Sequence, residues 1–228
     1  MHLSEAKCEE QRTQLRRAID DLDEKAGIAL AQEALAGGVS PLEFFQDVIE
    51  PVLKEIGDAF ARLDLFLPDL MRAGAVVKAM QLQILEPAVR SAGGESGSSG
   101  TIVIGTAQGD IHDIGKNMVA LMLQVNGFKV VDLGTNVSPQ AFLDSARREQ
   151  ADIIAMSSLL TPSLPYIKDF VARVNALGER QRYILVAGGA PITASWAEAA
   201  GLDGFGEDAV EAVALCQRLM RRRAGGEA

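Results

Sequence analysis

Cysteine is nearly absent, with Cys8 and Cys216 near opposite ends of the 228-residue chain. That spacing offers neither a disulfide framework nor a paired-thiol zinc site, and it suits a reducing interior. Histidine is as scarce: His2 lies at the amino end, and His112 is alone in the body of the chain. A metal centre built only from protein ligands therefore lacks its ligands. No apolar run approaches the roughly 20 residues of a membrane span, and residues 1–7 carry no apolar signal core, so a cytoplasmic protein without membrane contact is expected. Excess positive charge is missing too. The 22 Lys+Arg stand against 31 Asp+Glu, a formal net charge of -9, which argues against nucleic acid as a partner.

What is present is apolar patterning of two kinds. Hydrophobic residues make up 48% of the chain, enough for one large or two small cores. From Ser4 to about Ala92 the period is helical. Leu15, Ala18, Ile19, Leu22 and Ala26, then Ile28, Leu30, Ala31 and Leu35, form one broken helix or two, stopped by Gly37-Gly38. Ser40-Pro41-Leu42-Glu43 restarts the chain with a cap, a proline in the first turn and an acidic residue. Phe44, Phe45, Val48, Ile49, Val52, Leu53 and Ile56 make the next buried stripe, which Pro51 is expected to bend. The stretch from Phe60 to Met71 leads into another helix reaching about Val89. There Ala73, Gly74, Ala75 and Ala79 are slim, while Val76, Val77, Met80, Leu82 and Ile84 supply bulk. Residues 1–92 thus predict a bundle of four or five helices. Phe66, Leu67 and Met71, at the start of that last helix, are either bundle core or an apolar cover for something large.

Residues 93–100, rich in Gly and Ser, predict a flexible linker. Over 101–228 the period changes. Short β-rich runs at 101–107, 129–133, 153–156 and 183–187 alternate with helical segments, and a weaker run at 202–205 precedes a last helix from about 207 to 222. This alternation predicts an α/β domain with a flavodoxin-like, Rossmann-like five-stranded parallel sheet covered on both faces. Its ligand loops should meet at the carboxyl edge of the strands.

The loop after the first strand, Gly105 to Asn117, holds His112 two residues beyond Asp110. In an extended loop the carboxylate can hold one ring nitrogen while the other faces a ligand, the arrangement expected of a metal-binding imidazole. With one histidine available, the metal must bring most of its own ligands, as a macrocyclic cofactor does. The loop after the third strand offers hydroxyls at Ser157, Ser158, Thr161 and Ser163, and Gly188-Gly189 after the fourth lets backbone pass close to a ligand. Neither a Walker pattern nor Gly-x-Gly-x-x-Gly follows the first strand, so a nucleotide is weakly supported.

Asp110-x-His112-x-x-Gly115 resembles the cobalamin-binding domains. Ser157-Ser158-Leu159, Thr161-Pro162-Ser163 and Gly188-Gly189 resemble their other two cofactor loops, and Phe66-Leu67-Pro68-Asp69-Leu70-Met71 resembles the helical cap of methionine synthase and of methyltransferase-associated corrinoid proteins. The resemblance implies a cobalamin or related corrinoid with His112 as lower axial cobalt ligand, Asp110 as its hydrogen-bonded partner and Ser163 completing a relay. It implies that Gly115, Ser157, Leu159, Thr161, Gly188 and Gly189 line the groove for the displaced nucleotide tail. Phe66, Leu67 or Met71 would cover the upper face. The implied role is a methyl carrier that cycles between cob(I)alamin and methylcobalamin and is not catalytic alone. It would serve a substrate:corrinoid methyltransferase and a methylcorrinoid:pterin or thiol methyltransferase, with a reductive activase restoring oxidised cobalt. A cobalamin-dependent sensor, the small subunit of an adenosylcobalamin-dependent mutase, and a domain that no longer binds cobalamin are the competing readings.

Overall fold

The computed structural model describes residues 4–92 and 99–225, and the chain divides into two compact units, Met1–Ala92 and Gly93–Ala228. Residues 93–98 of the expected linker lie outside the described residues. Its last two do not behave as linker: the Ser99 amide donates to the Gly127 carbonyl and the Ser99 hydroxyl to that of Asn126, anchoring both residues in the second unit.

In the first unit, α1 (Glu5–Asp20) and α2 (Glu24–Ala36) are separate helices. Between them Leu22 takes φ 53° and is 52% exposed, so it is a helix-stop residue and not part of the stripe. Ala26 is exposed as well. α3 (Pro41–Phe44) starts with a reciprocal box. The Glu43 amide donates to Ser40 Oγ at 3.2 Å, and the Ser40 amide donates to Glu43 at 3.0 Å, a cap worth about 1 kcal/mol.

The chain runs on through a π-turn at Phe45–Ile49 into α4 (Glu50–Ala61). That π-turn is how the helix admits Pro51. The Glu50 amide reaches back five residues to the Phe45 carbonyl, and the Asp47 carbonyl, which Pro51 cannot bond, accepts from Arg12 Nε at 2.8 Å. The same device recurs where α5 (Leu67–Met80) passes through Gln81–Leu85 into α6 (Glu86–Ala92), again ahead of a Glu-Pro pair. The π-turn also shifts the apolar phase. Leu85 is buried there and Leu82 is 52% exposed, against the expectation from simple helical spacing.

The second unit is a doubly wound sheet. Its strands are β1 (Thr101–Thr106), β2 (Lys129–Asp132), β3 (Ile153–Ser157), β4 (Ile184–Gly188) and β5 (Gly204–Gly206), all parallel, in the order β2-β1-β3-β4-β5. Alternation along each strand sets two cores. Val103, Ile154 and Leu185 pack with Phe142 and Leu143 of α8 (Pro139–Arg148), Ile167 and Phe170 of α9 (Leu164–Ala176), and Ala197 of α10 (Ala194–Ala199). Ile102, Ile104, Ile153, Ile184 and Val186 face Ala120 and Leu123 of α7 (Ile114–Val125) and Val213 and Leu215 of α11 (Ala209–Gly225). Each fully buried Ile or Phe contributes roughly 1.5–3 kcal/mol. Connections reverse direction between β1 and β3, which opens a crevice at their carboxyl ends.

Two neighbouring glycines tie the rim of that crevice. Gly189 has φ +120°, and a Cβ there would lie 1.9 Å from the Ser158 carbonyl oxygen; one on Gly188 would lie 2.8 Å from that of Gly206. Close backbone approach alone explains both glycines. Gly189→Ala should therefore cost on the order of 3 kcal/mol or more in urea unfolding of the cofactor-free protein; a loss below about 1 kcal/mol would contradict this packing.

Candidate functional site

The crevice holds a buried carboxylate with every lone-pair direction in use. Asp110 follows β1 by four positions and is fully buried. Its Oδ1 accepts from the His112 amide at 3.0 Å and pairs with His112 Nδ1 at 2.6 Å. Its Oδ2 accepts from the amides of Leu159 at 2.6 Å and Leu160 at 3.1 Å, in the loop after β3. Burial pushes the carboxyl pKa upward. The amides of His112 and Leu159 and the imidazole outweigh that effect and leave it below the usual aspartate value.

The consequence for His112 is directional. With a carboxylate at Nδ1, that nitrogen carries the proton and Nε2 keeps its lone pair. Nε2 has no protein partner among the described residues, and the side chain is 48% exposed. Around it the surface is apolar: Ile111 is 76% exposed, and Leu159, Leu160 and Tyr166 are exposed too. An oriented imidazole donor within an apolar rim suits a flat, largely apolar macrocycle that carries its own metal. No group of three or more His, Cys, Asp or Glu side chains among the described residues could hold a bare ion.

The Ser163 hydroxyl donates to the Leu160 carbonyl at 2.7 Å and lies 2.5 Å from the Ser158 hydroxyl, while Asp110 is occupied by its four other donors. Ser163 is joined to Asp110 through the loop backbone: Asp110 holds the Leu160 amide, and Ser163 holds the Leu160 carbonyl. Ser158, fully buried, lies 3.1 Å from that carbonyl, and with Ser163 donating to the carbonyl the Ser158 hydroxyl donates its one proton to Ser163 Oγ. Ser157 ends β3 and is half-buried, and Thr161 is exposed on the 3-10 turn Thr161–Ser163. Gly115 lies in the first turn of α7, which begins three residues before the expected Asn117, and a Cβ there would meet open space.

Sequence reasoning missed three contributors. Thr106, buried at the end of β1, donates its hydroxyl to the His112 carbonyl at 2.9 Å. Asn136, in the loop after β2, accepts from the Gly109 amide at 2.8 Å and donates its own amide to the Asp110 carbonyl at 2.9 Å. Lys116 is buried in α7 with its ammonium 2.5 Å from Asp132 and 2.7 Å from the Asn117 side chain. The Asn136 and Lys116–Asp132 bonds join segments distant in sequence, and no local spacing announces them.

In the first unit Phe66, Leu67 and Met71 are 66%, 62% and 66% exposed, which removes the bundle-core alternative for them. Phe66 precedes α5, where its amide donates to Asp69 at 2.8 Å and Pro68 occupies the first turn.

Asp110 orients the imidazole and also reaches the loop after β3. Its bonds to two loops give it both tasks. Asp110→Asn turns one acceptor oxygen into a donor facing other donors, so the cofactor-free protein should lose about 1–3 kcal/mol. Because the folded pKa lies below the unfolded one, the carboxylate's contribution is complete above about pH 4 and is lost as pH falls from there through the folded pKa. The stability gap between wild type and Asp110→Asn, measured by urea unfolding, should be flat above about pH 5 and shrink below about pH 4. A gap that is absent, or that grows on acidification, would contradict this account.

Comparison with known proteins agrees with the geometry. Residues 100–214 match the B12 binding domain family, and residues 11–81 match a second family of that description. The chain is 36% identical over 203 residues to trimethylamine corrinoid protein 1 of Methanosarcina acetivorans, covering 89% of this chain and 94% of that one. The structure of the monomethylamine corrinoid protein of Methanosarcina barkeri superposes with a TM-score of 0.83 at 32% identity, over 90% of this chain and 96% of that one. A chain of the methanol:cobalamin methyltransferase complex of the same organism gives 0.52 at 25% identity, over 93% and 80%. The chain belongs to the B12-binding corrinoid proteins, the family that includes the methylamine corrinoid proteins.

Proposed function

We propose that this chain carries methyl groups on a corrinoid between separate methyltransferases, and that His112 Nε2 is the protein ligand to its cobalt. The observation that carries the reading is the Asp110–His112 pair, one ring nitrogen fixed at 2.6 Å and the other free, inside a B12 binding domain. When bound, the corrinoid supplies a cobalt centre able to accept and release a methyl group. The protein's own contribution is ligation and placement. Asp110 holds the Nδ1 proton and strengthens the Nε2 donor. Ile111, Leu159 and Leu160 offer apolar contact to the ring, and the open space above Gly115 leaves room for the nucleotide tail beside Ser157, Thr161 and Gly188-Gly189. We assign shielding of the cofactor's free face to the exposed Phe66, Leu67 and Met71.

A methylated amine is the donor class we favour, because relatives over 30% identical bear the names trimethylamine, dimethylamine and monomethylamine corrinoid protein. One partner would then be an amine:corrinoid methyltransferase and the other a methyltransferase delivering to a pterin or thiol. A reductive activase and a cytoplasmic setting complete the proposal; no described helix is long and apolar enough to cross a membrane.

Two outcomes are expected. With methyltransferases co-purified from the native cell, isotopic label from trimethylamine, dimethylamine or monomethylamine should appear on cobalt and then on the acceptor, each step requiring its own partner. Adenosylcobalamin-dependent rearrangement without methyl transfer would replace the carrier by the mutase reading. Separately, Gly115→Leu should leave the unfolding free energy of the cofactor-free protein within about 1 kcal/mol, yet weaken cobalamin binding about tenfold or more by filling the tail's space. Unchanged affinity would remove Gly115 from the site.

A further inference from the structure

We infer that Asn136 is a positioning residue for the cobalt ligand, acting from the loop after β2 without touching the cofactor; the inference rests on His112 being that ligand. Asn136 takes φ 55°, a left-handed conformation that asparagine adopts more readily than other non-glycine residues. In that conformation it holds the Gly109–Asp110 segment at both ends. Its Oδ1 accepts from the Gly109 amide at 2.8 Å, and its own amide donates to the Asp110 carbonyl at 2.9 Å. Gly109 itself turns at φ +85°, so the clamp sits at the bend that sends the chain toward His112.

Between this clamp and the imidazole the chain is short and bonded throughout. Asp110 Oδ1 takes both the amide and Nδ1 of His112, while Thr106 Oγ1 holds the His112 carbonyl from the end of β1. The His112 side chain is half in solvent, and its hydrogen-bonded anchor is Asp110 Oδ1 at Nδ1. Its direction is therefore inherited from the backbone of residues 109–112. Two loops and a strand end determine that backbone: the amides of Leu159 and Leu160 hold Asp110 from the side of β3, Thr106 at the end of β1 holds the exit, and Asn136 holds the side of β2. Asn136 is exposed and lies outside both apolar cores. Its side-chain bond can be removed while the sheet and the Asp110–Leu159 bond remain.

Asn136→Gly keeps the left-handed backbone and the amide bond to Asp110 but removes the acceptor for Gly109. Asn136→Asp keeps that acceptor, and at an exposed position its added charge is screened. The experiment loads each protein, grown with nitrogen-15 histidine, with cobalamin. It reads the imidazole nitrogen splitting in the electron paramagnetic resonance spectrum of the cob(II) state, alongside thermal unfolding of the cofactor-free protein. Asn136→Gly should lower the ratio of histidine-bound to histidine-free cobalt about fivefold, the effect of one lost net hydrogen bond. Asn136→Asp should restore the wild-type ratio, although both variants unfold within a few degrees of wild type. A wild-type ratio in Asn136→Gly, or an equal loss in both variants, overturns the positioning role. If wild type itself shows no labelled imidazole on cobalt, the ligand assignment fails, and this inference fails with it.

Discussion

A buried carboxylate that accepts four hydrogen bonds constrains everything at the carboxyl edge of this sheet. Asp110 has no exposure, and burying it uncompensated would cost several kcal/mol. The structure meets that cost with three backbone amides and one imidazole drawn from two loops. Because the loops leave β1 and β3, the same bonds close the crevice at the point where the sheet's connections change direction. One residue thereby fixes a tautomer, aims a donor nitrogen and fastens two loops. Its lowered pKa expresses the same fact, since these partners favour the charged form more than burial opposes it.

The rest of the second unit serves that edge. The loop after β3 is closed on itself by Ser158 and Ser163, bonded to each other and through Ser163 to the Leu160 carbonyl, so the amides that hold Asp110 are themselves held. Gly189 passes close to Ser158, where any side chain would collide with its carbonyl, and this joins the loop after β4 to the same frame. On the other side the Lys116–Asp132 pair fastens the first turn of α7 to the end of β2. The outcome is a rigid polar scaffold beneath an apolar rim, which leaves one nitrogen of one exposed imidazole available. A family of carriers that rely on a corrinoid for reactivity needs from the protein a donor of fixed direction and a surface that accepts the ring.

Much of this was legible from residues alone, and the failures have physical causes. Strands after residue 100 could be read as short apolar runs because both faces of the sheet are covered, so that Ile102 and Ile104 enter one core and Val103 the other. The pairing of Asp110 with His112 was readable because it is local. How Ser163 connects to Asp110 was not legible, because it depends on which Leu160 backbone group each side chain reaches, a matter of loop path. Leu82 was misread because a π-turn ahead of Pro87 shifts the apolar phase, and Leu22 because the chain reverses there in a left-handed residue. Asn136 left no signal, since it acts on backbone brought near only by the completed sheet, and Thr106 left none because its bond depends on the path of the loop that follows it.

The central claim is that the protein, and not the cofactor's own base, provides the lower nitrogen to cobalt through His112. Cobalamin carrying nitrogen-15 in its benzimidazole, bound to unlabelled protein and reduced to the cob(II) state, tests this most directly by electron paramagnetic resonance. The account requires a spectrum with nitrogen-14 splitting that is indifferent to the label, and loss of that splitting in His112→Ala. Splitting that follows the nitrogen-15 label in wild-type protein would contradict it.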